Sequence, residues 1–338
     1  MSRREPAALA VKDVNRHSRI SGVGAYRPRR VVPNAEIVDR IDSSDEWIRT
    51  RSGIANRRFA GAGESVQMMS VAASQQALKA ADIGPGEVDC VIVATVSHLK
   101  QTPAVATMIA DELGCTPAAA FDISAACAGF CHGVALASDM VRVGTAENVL
   151  VIGVERLSDI TDPHDRGTAF IFADGAGAAV VSPSDTPGIA PTVWGSDGSK
   201  AGYITMTETW DEVVRSEESR WPTLHMEGNA VFRWASYEMA KVAARALDVA
   251  GIEPDRLDVF IPHQANNRIT DAMARQLKLP DDIVIARDIV DQGNTSAASV
   301  PLAMERILAD GQAHSGDTAL LIAFGAGLAY AAQVVVLP

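Results

Sequence analysis

Residues 77–92 read ALKAADIGPGEVDCVI, and residues 246–261 read ALDVAGIEPDRLDVFI. Both share the skeleton A-L-x-x-A-x-I-x-P-x-x-[Val/Leu]-Asp followed by an apolar run. Asp89 aligns with Asp258, a displacement of 169 in a chain of 338 residues. In each copy an alanine-rich helical pattern stops, a proline-containing turn follows, and a buried-strand pattern begins. A period of half a chain is too long for a solenoid, so it predicts two similar α/β halves.

Further apolar runs fit these halves. Residues 88–95, 148–154, 176–182, 258–262, 319–324 and 331–337 are rich in Val, Ile and Ala with little alternation. Such runs suit strands buried on both faces between helices. Helical patterns fall at 66–81, 104–113, 129–143, 230–250 and 268–277. The expected architecture is a layered α-β-α-β-α fold from two duplicated halves. It divides into a tail (1–19), a first half (20–185) and a second half (186–338), with the turn-rich SPSDTPG near the boundary. Residues 196–225, which contain Trp210 and Trp221, lack periodicity and are expected to form a surface excursion.

Composition excludes several classes. Apolar residues make up 47%, enough for a sizeable core. The net charge of −12 argues against a nucleic-acid binder, which needs a basic footprint. The four cysteines, at 90, 115, 127 and 131, form neither a disulfide framework nor a zinc pattern, so no metal is expected. The first 20 residues lack the apolar core of a signal peptide, and no run is long enough to span a membrane. The reading is a cytoplasmic protein.

Four places carry candidate chemistry. Cys127, in FDISAACAGF (121–130), follows a strand-like run and precedes a helical pattern. A helix N-terminus favours a thiolate, although a small buried hydrophobe is the usual fate of a lone cysteine. His263 ends the second repeat's buried strand, where α/β sheets form ligand crevices, and its counterpart in the first half is Ala94. Asn294 follows Gly293, which permits an unusual backbone angle, and alone it reads equally as a turn cap. FGAGLAY (324–330) places two glycines after a buried run, and its spacing is not a dinucleotide fingerprint. The other histidines show no ligand spacing.

Together these motifs resemble the thiolase-like condensing enzymes, and within them the β-ketoacyl-[acyl-carrier-protein] synthase III family, with wording most similar to actinobacterial members. The carriers are SSDEWIRTRSGI (43–54), DISAACAGF (122–130), DRGTAFIFADGAGAAV (165–180), HQANNRI (263–269), GNTSAASVP (293–301) and FGAGLAYAAQVV (324–335). The resemblance runs from about Ile20 to Pro338.

It implies a thiolase-like five-layered fold and a catalytic triad of Cys127, His263 and Asn294. Cys127 would take an acyl group from acyl-CoA, and malonyl-[acyl-carrier-protein] would supply the attacking enolate, giving a 3-oxoacyl product. The backbone N–H groups of Cys127 and Ala326 would form an oxyanion hole. Trp47 and Arg166 would sandwich the CoA adenine, Arg51 would meet its phosphates and Asn266 would line the pantetheine path. Arg268, Arg275 and Lys278, spaced near one helical face, would dock an acidic carrier protein. Thr102 would border the acyl pocket of a partner subunit in a homodimer, leaving room beyond acetyl. No cofactor is implied.

A starter-unit synthase or acyltransferase of a secondary-metabolite pathway shares these features. Thiolysis is disfavoured because 324–330 holds no cysteine, and the elongating synthases resemble a Cys–His–His pattern that Asn294 breaks. A cysteine protease fits the duplicated sheets poorly. A degenerate, non-enzymatic subunit would have lost its nucleophile, and Cys127 is present.

Overall fold

The computed structural model describes residues 16–216 and 220–338. Its first sheet holds β1 (His17–Tyr26), β2 (Cys90–Ala94), β3 (Ala119–Ile123), β4 (Val149–Arg156) and β5 (Asp174–Ser184). The second holds β6 (Val193–Gly195), β7 (Val259–Pro262), β8 (Val284–Ile285), β9 (Thr318–Phe324) and β10 (Tyr330–Val336). The spatial orders are β1-β5-β4-β2-β3 and β6-β10-β9-β7-β8. One order becomes the other when every strand is advanced by five, so the repeat read from residues 77–92 extends to whole sheets. In both, three parallel strands lie at one side and two antiparallel strands at the other.

Parallel neighbours need crossover connections, and helices supply them. The helices that matter here are α1 (Asp45–Ser52), α2 (Val66–Ala81), α3 (Val105–Leu113), α4 (Gly129–Arg142), α5 (Gly228–Ala250), α6 (Asn267–Leu277) and α7 (Ser299–Ala309). Side chains alternate across each strand, and both faces here are apolar. Val91, Val93, Leu150 and Ile152 pack outward against Met69 and Ala73 of α2 and Ile109 of α3. Ile92 and Val151 turn inward and meet Phe130 and Val134 of α4. The same central cluster takes in Val300, Met304 and Ile307 of α7 with Ile261 and Leu321 of the second sheet. On the far side, Phe260, Leu320 and Ile322 pack against Met239 and Leu247 of α5 and Met273 of α6. The result is five layers, α2/α3, sheet, α4/α7, sheet, α5/α6, as expected from the sequence.

Two expectations need correction. Part of the supposed tail is structured: β1 begins at His17 and pairs with Ser184 of β5, while residues 1–15 lie outside the described residues. Glycines and serines in HSRISGVGAY hide its period-two burial. The segment 196–225 is more than a surface excursion. Its strands Ile204–Met206 and Leu224–Met226 form a two-stranded ribbon whose side chains wall the site described below. Three-residue strands are too short to carry a period; residues 217–219 are outside the described set.

Phe130 is fully buried in the central layer, between both sheets. Phe130→Ala is expected to cost about 3–5 kcal/mol, read as a lower denaturant midpoint with unchanged slope. A loss below about 1 kcal/mol would contradict its place in that layer.

Candidate active site

The chain leaves β3 and turns sharply into α4. Ala126 adopts φ 46°, a left-handed conformation that strains a residue with a Cβ, and a single 3-10 turn spans Ala126–Ala128. The second half repeats the device: Ser296 has φ 48°, a 3-10 turn spans Ser296–Ala298, and α7 follows. The two turns pack against each other in the central layer. Ala297 therefore stands where the first half carries Cys127.

Cys127 is 9% exposed. Burial pushes its thiol up to about 12; the charge of Glu155 pushes the same way, and a hydrogen bond with Ser296 opposes both. Of the two readings of this cysteine, burial favours the neutral thiol at rest. The start of α4 offers partial positive charge, but the loss of water around sulfur outweighs it.

His263 follows β7, and its backbone N–H donates to Ile322 of β9 at 2.7 Å. The ring lies edge-on to Phe324, with centroids 5.4 Å apart. Burial lowers its pKa to about 3, so it is neutral. Nδ1 lies 2.6 Å from Ser299 Oγ, which itself accepts from the Gln264 N–H at 3.4 Å. When the Ser299 hydroxyl donates to Nδ1, the ring N–H sits on Nε2. Asn294 is oriented by the same logic. Its Oδ1 accepts from the Ser296 N–H at 2.8 Å, its backbone is anchored to Ile171 and Ala173, and its Nδ2 remains a donor. Gly293 precedes it at φ 72°, where a Cβ would meet those of Arg57 and Ala173 at 2.8 and 2.9 Å.

The glycine-rich turn after β9 completes the group. A Cβ on Gly325 would lie 2.6 Å from the backbone N of Cys127. Glycine leaves the Cys127 N–H uncovered, and Ala326 follows beside it.

Cys127 stands where two cavities meet. The larger, about 470 Å³, is lined by Cys127, His263, Asn294 and Phe324, and also by Trp47, Arg51, Arg166, Asn266 and Arg268. The smaller, about 160 Å³, lies beyond the thiol and is walled by Val96, Leu157, Ile160, Phe172, Met206 and Leu224, with Ala326 and Ser296 beside Cys127. Trp47 lies on α1, whose N-cap Ser44 accepts from the Trp47 N–H at 3.1 Å. The guanidinium carbons of Arg166 and Arg51 lie 5.2 and 5.7 Å from the indole centroid. Asn266 caps α6 by accepting from the Arg268 N–H and donates to the Arg51 carbonyl, both at 2.9 Å. Arg268 lies over Phe232 at 4.7 Å.

Comparison with known proteins follows this geometry. Residues 121–198 match the sequence model of 3-oxoacyl-[acyl-carrier-protein (ACP)] synthase III, and residues 247–337 match its C-terminal counterpart. The chain is 61% identical to β-ketoacyl-[acyl-carrier-protein] synthase III 1 of Streptomyces coelicolor over 95% of this chain and 97% of that protein. It is 54% identical to the mycobacterial β-ketoacyl-[acyl-carrier-protein] synthase III of Mycobacterium marinum, over 94% of each. The chain belongs to the synthase III family. It is an acyltransferase-type condensing enzyme. Among solved structures, the priming β-ketosynthase of the R1128 polyketide pathway superimposes with a TM-score of 0.96 at 47% identity, covering 98% of this chain and 99% of that one.

Within this synthase III chain, the structure brings Cys127, His263, Asn294 and Ala326 together, and gathers Trp47, Arg51, Arg166, Asn266 and Arg268 along the larger cavity. It does not bring Thr102 to the acyl-side cavity of its own chain; Thr102 is exposed. Arg275 is exposed on α6, away from the cavity lining. Lys278 is not on that helix: it is the left-handed cap after Leu277, at φ 55°. The helix therefore ends one residue short of the helical spacing read from the sequence. Sequence reasoning missed Ser296, Ser299, Glu155 and the 204–226 ribbon. Ser299 lies within the GNTSAASVP motif, but only the fold shows that it faces His263.

The depressed pKa of His263 stabilises the fold above pH 6.5, and that stability is lost as the pH falls toward 3. The linked loss is on the order of 5 kcal/mol. Denaturant midpoints of the wild type should therefore fall more steeply between pH 6.5 and 4 than those of His263→Gln. Parallel curves would mean that the ring is not held neutral by burial.

Proposed function

We propose that this chain condenses an acyl-CoA starter with malonyl-[acyl-carrier-protein], releasing CO2 and giving a 3-oxoacyl-[acyl-carrier-protein]. The observation that carries the reading is the position of Cys127, between a small apolar cavity and a larger one lined by His263 and Asn294 and by exposed arginines. Cys127 sulfur bonds the acyl carbonyl and CoA leaves as its thiol. The malonyl unit then enters by the same path. Its C–CO2 bond breaks, and the electron pair delocalises onto the thioester oxygen, which accepts from His263 Nε2 and Asn294 Nδ2. The enolate carbon attacks the acyl-Cys127 carbonyl, whose oxyanion faces the backbone N–H groups of Cys127 and Ala326. Collapse expels the Cys127 thiolate. Fixed donors in a dry site are suited to both oxyanions.

The CoA adenine fits between Trp47 and Arg166. These groups are in mutual contact, so Arg166 moves outward by one stacking spacing to admit it. Arg51 meets the phosphates and Asn266 the pantetheine. Arg268, with Arg275 and Lys278 farther along the same surface, offers positive charge to an acidic carrier protein on a chain of net charge −12. Residues 17–185 and 186–338 act as two halves, one bringing the nucleophile and the other the donors. Thr102 reaches the acyl pocket of a second copy in a homodimer.

The smaller cavity sets the starter. About 160 Å³ with apolar walls compares with the ~150 Å³ cavities that hold a six-carbon ring, so acyl groups of about four to six carbons fit. Branched or medium-length starters follow, in fatty acid or polyketide initiation.

Asn294→Ala tests the division of labour. Transfer of an acyl group to Cys127 should change little, whereas malonyl-[acyl-carrier-protein] decarboxylation should fall about 100–1000-fold. Equal losses in both half-reactions would remove Asn294 from its role as enolate donor.

A further inference from the structure

The smaller cavity is built from separate stretches of chain. Leu157, Ile160 and Phe172 belong to the first half, where they are buried in one apolar cluster. Ile204, Met206 and Leu224 belong to the ribbon and supply another part of the wall. Met206 and Leu224 pack against that same cluster. Apolar contact is non-directional, so a polar bond across the seam is what fixes the register of the two surfaces.

Such a bond is present. The Trp221 indole N–H donates to the Asp159 carbonyl at 2.9 Å, across 62 positions. Asp159 lies inside the 3-10 turn Leu157–Ile160, so the acceptor is flanked by two residues of the cavity wall. That turn is held on its own side by Arg156, which pairs with Asp159 at 3.1 Å, and by Thr161 Oγ1, which donates to the Leu157 carbonyl at 2.8 Å.

The donor is held as firmly. Pro222 follows Trp221 and fixes one backbone angle, and Leu224 comes two residues later. Between them the Thr223 N–H donates to Thr207 Oγ1 at 3.0 Å, and the Thr207 N–H donates to the Thr223 carbonyl at 2.8 Å. Trp210 stands edge-on to the Trp221 ring, with centroids 6.0 Å apart. Trp210 begins a short helix whose start is set by Thr209 and Glu212 in a reciprocal cap. The Trp221 ring is still 52% exposed. What it supplies at this place is its polar edge, aimed at the back of the cavity wall.

We propose that Trp221 is a positioning residue for starter length: its bond to Asp159 latches the ribbon to the Leu157–Ile160 turn and so limits the acyl chain that the smaller cavity accepts. This rests on the starter-cavity reading given above. Trp221 does not line the cavity; it acts through Leu224 on one side and through Leu157 and Ile160 on the other. Acetyl and butyryl groups fit the latched cavity and are indifferent to the bond. Acyl chains longer than about six carbons need the seam to part, and the latch opposes them.

The test compares the wild type with Trp221→Phe, which keeps a ring beside Trp210 and removes the N–H. Acetyl-, butyryl-, hexanoyl-, octanoyl- and decanoyl-CoA compete in one mixture, and adducts on Cys127 are weighed by intact-protein and peptide mass. The decanoyl-to-butyryl ratio should rise about fivefold in the variant, the worth of one net hydrogen bond, with acetyl transfer unchanged. Trp221→Leu, which also loses the ring, should raise the ratio at least as far. An unchanged ratio in both variants overturns the proposal, and so does an equal fall at every chain length, which would mark a general structural role. If the wild type takes no acyl group from any acyl-CoA, the acyl-CoA reading fails and the latch is decided without it. Alkyl methanethiosulfonates of four and ten carbons then place the same chains on the Cys127 sulfur, with methanesulfinate leaving. A raised ten-to-four ratio in Trp221→Phe keeps the latch, and an unchanged one removes it.

Discussion

The site depends on two strained turns meeting in one dry layer. Ala126 and Ser296 both sit in left-handed backbone, each just before a central helix, and the turns they begin pack on one another. Neither residue is a glycine, so each turn costs conformational energy that the surrounding layers must repay. What the strain secures is placement. Cys127 is held at the mouth of α4, and the facing turn delivers Asn294 and Ser296 from the other half. The ends of β7 and β9 then add His263 and the Gly325 turn. The duplication supplies the geometry, and divergence within it, Cys127 against Ala297 and His263 against Ala94, supplies the chemistry.

Burial keeps the catalytic side chains themselves uncharged at rest. The thiol is pushed up and the imidazole down, and Asn294 is neutral by nature. Charge appears only as the reaction proceeds, first on sulfur and then on two carbonyl oxygens. Each oxygen meets N–H groups whose directions are already fixed by Ser299, Ser296 or backbone. Such a site stores little charge and needs little reorganisation when charge develops. The arginines are kept at the far end of the larger cavity, near Trp47 and exposed to water, where they can attract an anionic substrate without perturbing the thiol.

Much of this was legible in the sequence. The repeat foretold the duplicated sheets because buried parallel strands and alanine-rich helices leave strong patterns. Helix α2 was read at its observed bounds and α3, α4, α5 and α6 within a few residues, whereas α7 of the central layer was not read as a helix. Cys127, His263 and Asn294 stood out because each follows a strand-like run or a glycine. What was not legible depends on folding across long distances. Glu155 reads as an ordinary residue at the end of a buried strand, and its link to Ser296 spans 141 positions. The resting state of Cys127 stayed open because a sequence shows the helix start but not the burial. The 204–226 ribbon was misjudged because its strands are three residues long.

The most direct test of the account is intact-protein mass after incubation with acetyl-, propionyl-, isobutyryl- and longer acyl-CoAs, followed by addition of malonyl-[acyl-carrier-protein]. The account predicts a single acyl adduct on Cys127, most complete with starters of about four to six carbons. That adduct should disappear as 3-oxoacyl-[acyl-carrier-protein] forms. An adduct that persists with malonyl-[acyl-carrier-protein] and discharges to another nucleophile, or one that never forms at Cys127, would contradict it.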